Sequence, residues 1–171
     1  SHVMLVPGAL QRLLNYYAVN PDTKDLFSSP MLYDDLRNYS THFQDEWRGE
    51  MWGTWGTDQR GESPDAEPFE IPAMGLGLFS CRKDSWLGFN PRFRGFGGEE
   101  FYIHEKFRQA GAKCVCLPFL RWLHRFARPA GVKYPLTRND KVRNYIIGHR
   151  ELGLDLERCR HHFVDEIGMS H

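Results

Sequence analysis

This sequence has no disulfide framework. Its four cysteines, Cys81, Cys114, Cys116 and Cys159, form neither the spaced set of a small secreted domain nor a C-x-x-C metal knuckle. They read as reduced thiols of a cytoplasmic protein. Cys114 and Cys116, two apart in an apolar run, point to one strand face as small core residues. No apolar run approaches the ~20 residues of a membrane helix, and no signal peptide is visible. Net charge is missing as well, with 22 Lys+Arg against 22 Asp+Glu, which removes the electrostatic footprint of a nucleic-acid binder. The balance hides an asymmetry: residues 34–70 carry ten acids and three bases, and residues 121–150 eight bases and one acid. The basic segment either faces phosphates or is solvated. Repeats and low-complexity tracts are absent. The apolar content, 41% of 171 residues, is enough for the core of one domain or a large part of one.

The pattern along the chain alternates strand and helix. Pro7 to Tyr17 reads as a helix with proline in its first turn and leucines on one face. Asp25 to Tyr33 reads as one strand, with Pro30 marking an edge or a bend. From about Arg37 to Pro72 the periodicity is lost, and the expectation is a long aromatic-rich loop. Gly75 to Cys81 reads as a buried strand, followed by a short helical turn at Lys83–Trp86. A helix is expected from about Gly98 to Ala110, stopped by Gly111. Cys114 to Phe119 reads as a second buried strand leading to Arg121–Phe126. After a loop containing Pro129, Gly131 and Pro135, Asn139 is expected to cap a last helix, about Asp140 to Leu152, that ends at Gly153.

The most informative stretch is Gly95-Phe96-Gly97-Gly98-Glu99-Glu100. Glycine lets a backbone turn tightly and approach a bound molecule, because it lacks the Cβ that forbids positive φ. Two carboxylates then stand at the mouth of an amphipathic helix, where the dipole and free N–H groups favour negative charge. Such a carboxylate suits accepting a proton from a hydroxyl or hydrogen-bonding a sugar. A Gly-rich turn before an ordinary helix explains the same residues.

Other constellations are weaker. His104-Glu105 fails the H-E-x-x-H zinc motif, because Arg108 occupies the second histidine's place. His104 and Arg108, one turn apart, are expected to line a groove or pair with acids. His124 follows an apolar strand and precedes a Pro/Gly loop, either at the ligand-binding edge of an α/β sheet or half-buried on backbone. Trp47, Trp52 and Trp55 form either a core patch or a platform for sugar rings. Ser1-His2 is either a tag remnant or a native start cut through a motif.

Taken in order, these motifs resemble the later half of nucleotide-sugar glycosyltransferases with the GT-A fold. The resemblance is to bacterial family-2-type enzymes, with kinship to the polypeptide N-acetylgalactosaminyltransferases. Three segments carry it. Ser1-His2 followed by Pro7-Gly8 is similar to the Asp-x-His strand end, truncated after its aspartate. Gly77–Trp86, Gly88-Phe89-Asn90 and Phe96-Gly97-Gly98-Glu99-Glu100 are similar to the strand, Trp turn and Gly-Gly-Glu segment. Trp122-Leu123-His124 before a mobile loop is similar to the strand ending in a metal-binding histidine. The pair after Gly-Gly is Glu-Glu here, where relatives carry Glu-Asp or Glu-Asn.

The resemblance implies an α/β fold with a GT-A-like mixed sheet flanked by helices. Residues 1–171 would be a single domain or fragment, the acceptor- and metal-binding portion without the amino-terminal nucleotide-binding half. It implies transfer of a sugar from a nucleotide-diphosphate donor, such as a UDP-sugar, to a hydroxyl of a glycan, protein or small molecule. Mn²⁺ or Mg²⁺ would be held by His2 and His124. Glu99 or Glu100 would act on the acceptor hydroxyl, and Arg125, Arg128 and Lys133 would face the donor diphosphate. Trp47, Trp52, Trp55, Gly97 and Gly98 would bind the acceptor. The alternative is a non-catalytic carbohydrate-binding protein derived from the same fold.

Overall fold

Two glycines start the central helix. In this computed structural model, which describes residues 2–127, 131–132 and 134–169, Gly97 and Gly98 take φ of 106° and 90°. A Cβ disfavours those angles. Gly98 is the N-cap of helix α2, Glu99–Gln109, and caps it with no side-chain hydrogen bond. Gly111, at φ 81°, ends it as expected of a glycine C′ residue. One face of α2 buries Tyr102, Ile103 and Phe107 completely, each contributing ~1.5–3 kcal/mol. They pack against Leu26, Met31, Cys114, Cys116 and Trp122 to form the main core.

Short strands surround this helix. Strand β1 (Val3–Leu5) precedes helix α1 (Ala9–Val19); β2 (Leu26–Ser28), β3 (Met31–Leu32), β4 (Tyr39–Ser40), β5 (His42–Arg48), β6 (Met51–Gly56) and β7 (Phe69–Glu70) follow. After α2 come β8 (Cys114–Cys116), β9 (Trp122–His124), α3 (Arg138–Glu151) and α4 (Glu157–Arg160), which runs into a π-helical stretch, His161–Glu166. A four-stranded sheet has the order β1-β9-β3-β4, a three-stranded sheet the order β2-β8-β7, and β5-β6 form a hairpin. Both larger sheets are mixed: β9 runs parallel to β3 and antiparallel to β1, and β8 parallel to β2 and antiparallel to β7. The fold is therefore mixed α/β with helix-flanked mixed sheets, as expected. On β8, Cys114 and Cys116 join the main core while Val115 faces another cluster with Ala9, Phe27 and Leu117. The expected common face of the two cysteines holds, and all four thiols are free.

Several sequence expectations are corrected. Pro7 lies before the cap of α1, which is Gly8 at φ 80°. The strand expected over Asp25–Tyr33 is two strands in two sheets, because Pro30 cannot donate to a ladder and stands between them. The expected loop from Arg37 to Pro72 holds four strands. A register shift between Gln44 and Trp47 breaks the alternation of its hairpin. Gly75–Cys81 is no strand; only Ser80 bridges, to Phe27. Thr137, not Asn139, caps α3, its hydroxyl accepting the Asp140 N–H at 3.2 Å. That helix does end at Gly153, which has φ 66°. Among the described residues no helix is long and apolar enough to cross a membrane.

Candidate functional site

Strand β9 sets the first wall of a cleft. Residues two apart share a strand face, so Trp122 and His124 project together, with ring centroids 5.7 Å apart. Antiparallel pairing of Val3 with His124 brings His2 alongside, and the His2 carbonyl accepts the Arg125 N–H at 2.8 Å. The two imidazoles meet edge to face, with centroids 5.0 Å apart and planes at 79°. Phe126 closes another side of His124 at 4.0 Å and stacks on Tyr33.

The second wall is the first turn of α2. Glu99 and Glu100 line the same cavity as His2 and His124, together with Trp52, Trp55, Gly75, Gly77, Phe96, Phe126 and Tyr134. Its volume is about 690 Å³, within the range of small-molecule sites. Burial raises the pKa of both carboxyls. For Glu99, backbone N–H groups of Gly97 and of Glu99 itself pull the other way. For Glu100, the Glu99 charge adds to desolvation and pushes the pKa up to about 8. The pair therefore holds protons to higher pH than free glutamate does. An acid so raised is a stronger base once ionised and is poised near working pH.

The third wall is the β5–β6 hairpin with the segment facing it. Gly77 lies flat against Trp122, where a Cβ would come within 2.4 Å of the indole, and Gly75 would come within 2.8 Å of Trp55. The apolar Gly-x-Gly run is thus a close approach of backbone to two cleft tryptophans. Tyr145 of α3 accepts the Trp52 N–H through its hydroxyl at 2.8 Å.

Helix α3 also fixes the glycine loop. Asn144 is buried, with 2% of its surface exposed. Its Oδ1 accepts the Arg94 N–H at 2.9 Å, while its Nδ2 donates to the carbonyls of Arg94 at 2.8 Å and Gly97 at 2.9 Å. One helix therefore holds both the wall with the acids and the wall with the tryptophans. An asparagine inside a helical pattern gives no sequence signal of this role. Arg48, exposed on the rim, contributes a cationic side chain to the cleft lining and was equally hidden in the acidic stretch.

Some sequence-predicted residues lie elsewhere. Trp47 stands apart from Trp52 and Trp55, stacked on His162 at 4.3 Å and 10° and lining a second cavity. Gly97 and Gly98 do not line the cleft. Cβ atoms there would meet Lys141 and Met51, or Asn144, so their place is tight packing on α3. Arg125 is exposed beyond β9, and Arg128 and Lys133 fall outside the described residues. His104 lines no groove. It is fully buried, its Nδ1 donating to the Glu100 carbonyl at 2.6 Å and its Nε2 accepting the Met74 N–H at 3.2 Å. Desolvation lowers its pKa to about 4, so it stays neutral. Arg108 does pair with an acid, Glu105, at 3.0 Å.

The spacing of the two imidazole rings is compatible with two ligands of one cation. Imidazole nitrogens each ~2.1 Å from an ion place their ring centroids about 5 Å apart, and the observed separation is 5.0 Å. Imidazole and oxygen donors together suit Mn²⁺. Among the described residues no third His, Cys, Asp or Glu completes a ligand group.

No family model matches this sequence, and no curated protein does. Structure is more informative. The chain has a GT-A-like mixed α/β fold. GalNAc-T7, solved with UDP, GalNAc and Mn²⁺, superposes with a TM-score of 0.61 at 18% identity over 87% of this chain. This chain spans 30% of the length of that solved chain.

Proposed function

We propose that this chain is the acceptor- and metal-side part of a metal-dependent glycosyltransferase, which moves a sugar from a nucleotide-diphosphate donor to an acceptor hydroxyl. One observation carries the reading: the His2–His124 pair and the Glu99–Glu100 pair line a single cleft in a GT-A-like fold. The solved neighbour's UDP and Mn²⁺ support a UDP-sugar donor and Mn²⁺ or Mg²⁺.

Each residue has a physical task. One carboxyl of the Glu99–Glu100 pair, in its ionised form, takes the proton of the attacking hydroxyl. The other, held beside it at the helix mouth, orients that hydroxyl. Trp52 and Trp55 offer aromatic faces to the apolar side of a sugar ring. Phe126 and Tyr134 shield the imidazole side from water, which would otherwise hydrolyse the donor. Arg48, with Arg125, Arg128 and Lys133 after β9, supplies positive charge for the diphosphate. His2 and His124 are the residues that would hold the cation, whose chemistry is to offset charge on the leaving diphosphate.

A donor screen on the full-length protein with Mn²⁺, scored by release of nucleoside diphosphate, tests the reading. Release that depends on both metal and acceptor supports it. Glycan binding with no release from any donor would leave a carbohydrate-binding protein instead.

A further inference from the structure

A second cavity lies on the other side of Trp52. That indole lines both spaces, and with Phe101, 5.2 Å away at 70°, it forms part of the partition between them. The same helix serves both: Glu99 and Glu100 face the cleft, whereas Phe101, Glu105 and Arg108 face the second cavity. The volume is about 400 Å³, again within the range of small-molecule sites.

The lining has two parts. Trp47, Trp52, Phe101 and Tyr145 give aromatic walls, while the polar groups carry both signs: Asp45, Glu105 and Asp155 against Arg108 and Arg158. With one carboxylate in excess, this lining offers no net attraction to a phosphate or a polyanion. It does offer carboxylates and guanidinium groups beside aromatic walls. A ligand with one apolar face and a ring of hydroxyls matches that arrangement, since CH groups stack on aromatic rings while hydroxyls bond carboxylates and guanidinium groups.

Two groups are already set to receive hydroxyls. Asp45 Oδ1 accepts from the Trp52 indole N–H at 2.7 Å and from Arg158 at 2.8 Å, and Oδ2 accepts from Arg158 at 3.0 Å. A carboxylate has about four lone-pair sites, so these three bonds leave one open on Oδ2. The Arg158 and Trp52 hydrogen bonds hold the Asp45 pKa below its ordinary value, which keeps it an acceptor. His149 is buried, 7% exposed, and stacks on Phe101. Its Nδ1 donates to the Tyr145 carbonyl at 2.8 Å, which makes Nε2 the acceptor. The protein group against Nε2 is the Cys159 thiol at 3.5 Å, a weak donor. Burial keeps this imidazole neutral.

We infer that this cavity is a second saccharide-binding site, taking one neutral sugar unit between Trp47, Phe101 and the Asp45–Arg158 rim. The site stands independently of transfer chemistry, because none of its residues except Trp52 belongs to the cleft.

The test is an NMR titration of the whole chain with methyl glycosides of glucose, galactose and N-acetylgalactosamine, following the indole N–H of Trp47 and the ring of His149. At least one glycoside is expected to shift both signals with millimolar affinity. Asp155→Asn, at an exposed rim position, and Glu105→Gln should each weaken binding about tenfold, the equivalent of ~1.4 kcal/mol. Trp47→Leu should abolish it, and if that variant does not fold the two rim variants still decide. His124→Ala should leave these shifts unchanged. No shift with any of the three glycosides would overturn the inference. So would shifts that vanish with His124→Ala, or a cavity that responds to free indole and to no glycoside. None of these results bears on nucleoside diphosphate release, so the site and the transferase reading fail separately.

Discussion

Two glutamates, one at the tip of the β5–β6 hairpin and one at the start of α2, show how differently one side chain can be treated. Glu50, at the tip of the β5–β6 hairpin, meets Arg138 at 2.6 Å and Lys141 at 2.9 Å. Those hydrogen bonds lower its pKa. Glu100 lies deeper, with only another acid as charged neighbour in the first turn of α2, and its pKa rises. An ion-paired acid fastens one element to another, here the hairpin to α3. A buried acid without a cation costs stability and is retained where chemistry needs a proton acceptor near neutral pH. The hairpin tip is therefore structural and the helix mouth a candidate for catalysis.

Breaking the second half of this contrast should have the largest effect. Glu100→Gln is expected to lower transfer by about 10²–10⁴-fold, the usual contribution of a general base, with donor affinity by calorimetry changed less than about twofold. Unchanged turnover would remove Glu100 from catalysis. The same variant tests linkage. With a folded pKa above the unfolded one, Glu100 contributes stability below about pH 4.5 that is lost as pH rises toward about 8. Urea midpoints should fall between pH 5 and pH 8 in the wild type and fall less in the variant. Equal slopes would show that burial does not raise this acid.

Removing the buttress shared by both walls should come next. Asn144→Ala deletes three hydrogen bonds of a buried side chain and is expected to cost ~2–3 kcal/mol in urea unfolding; a loss under ~0.5 kcal/mol would mean that the glycine loop holds itself. His124→Ala should weaken Mn²⁺ binding at least about tenfold, as expected for loss of one of two imidazole ligands. Equal metal affinity by calorimetry would exclude it as a ligand. Trp55→Ala should raise acceptor KM more than donor KM, and the reverse pattern would place the indole on the donor side. The smallest effect belongs to Glu50→Gln, under about 1 kcal/mol, because partly solvated ion pairs contribute little. Its depressed pKa makes that stability present near neutral pH and lost on acidification, so the variant should match the wild type at low pH.

What the sequence showed and what it hid follow one division. Helix α2 was legible because glycines with positive φ bound it at both ends and its apolar positions repeat at helical spacing. The end of β9 was legible because an apolar run stops at His124 before turn-forming residues. The hairpin was not, since one register shift between Gln44 and Trp47 destroys the period of two. His104 and Asn144 were hidden because their partners, Met74 and Arg94, lie 30 and 50 residues away along the chain.

Local rules thus determined where elements start and stop, because φ preferences and periodicity act over a few residues. Only the tertiary structure decided that His2, His124, Glu99 and Glu100 share a cleft while Trp47 turns to another cavity. Burial, pairing and pKa depend on which distant groups arrive beside a side chain. That information exists only after long-range strand pairing and helix docking are complete.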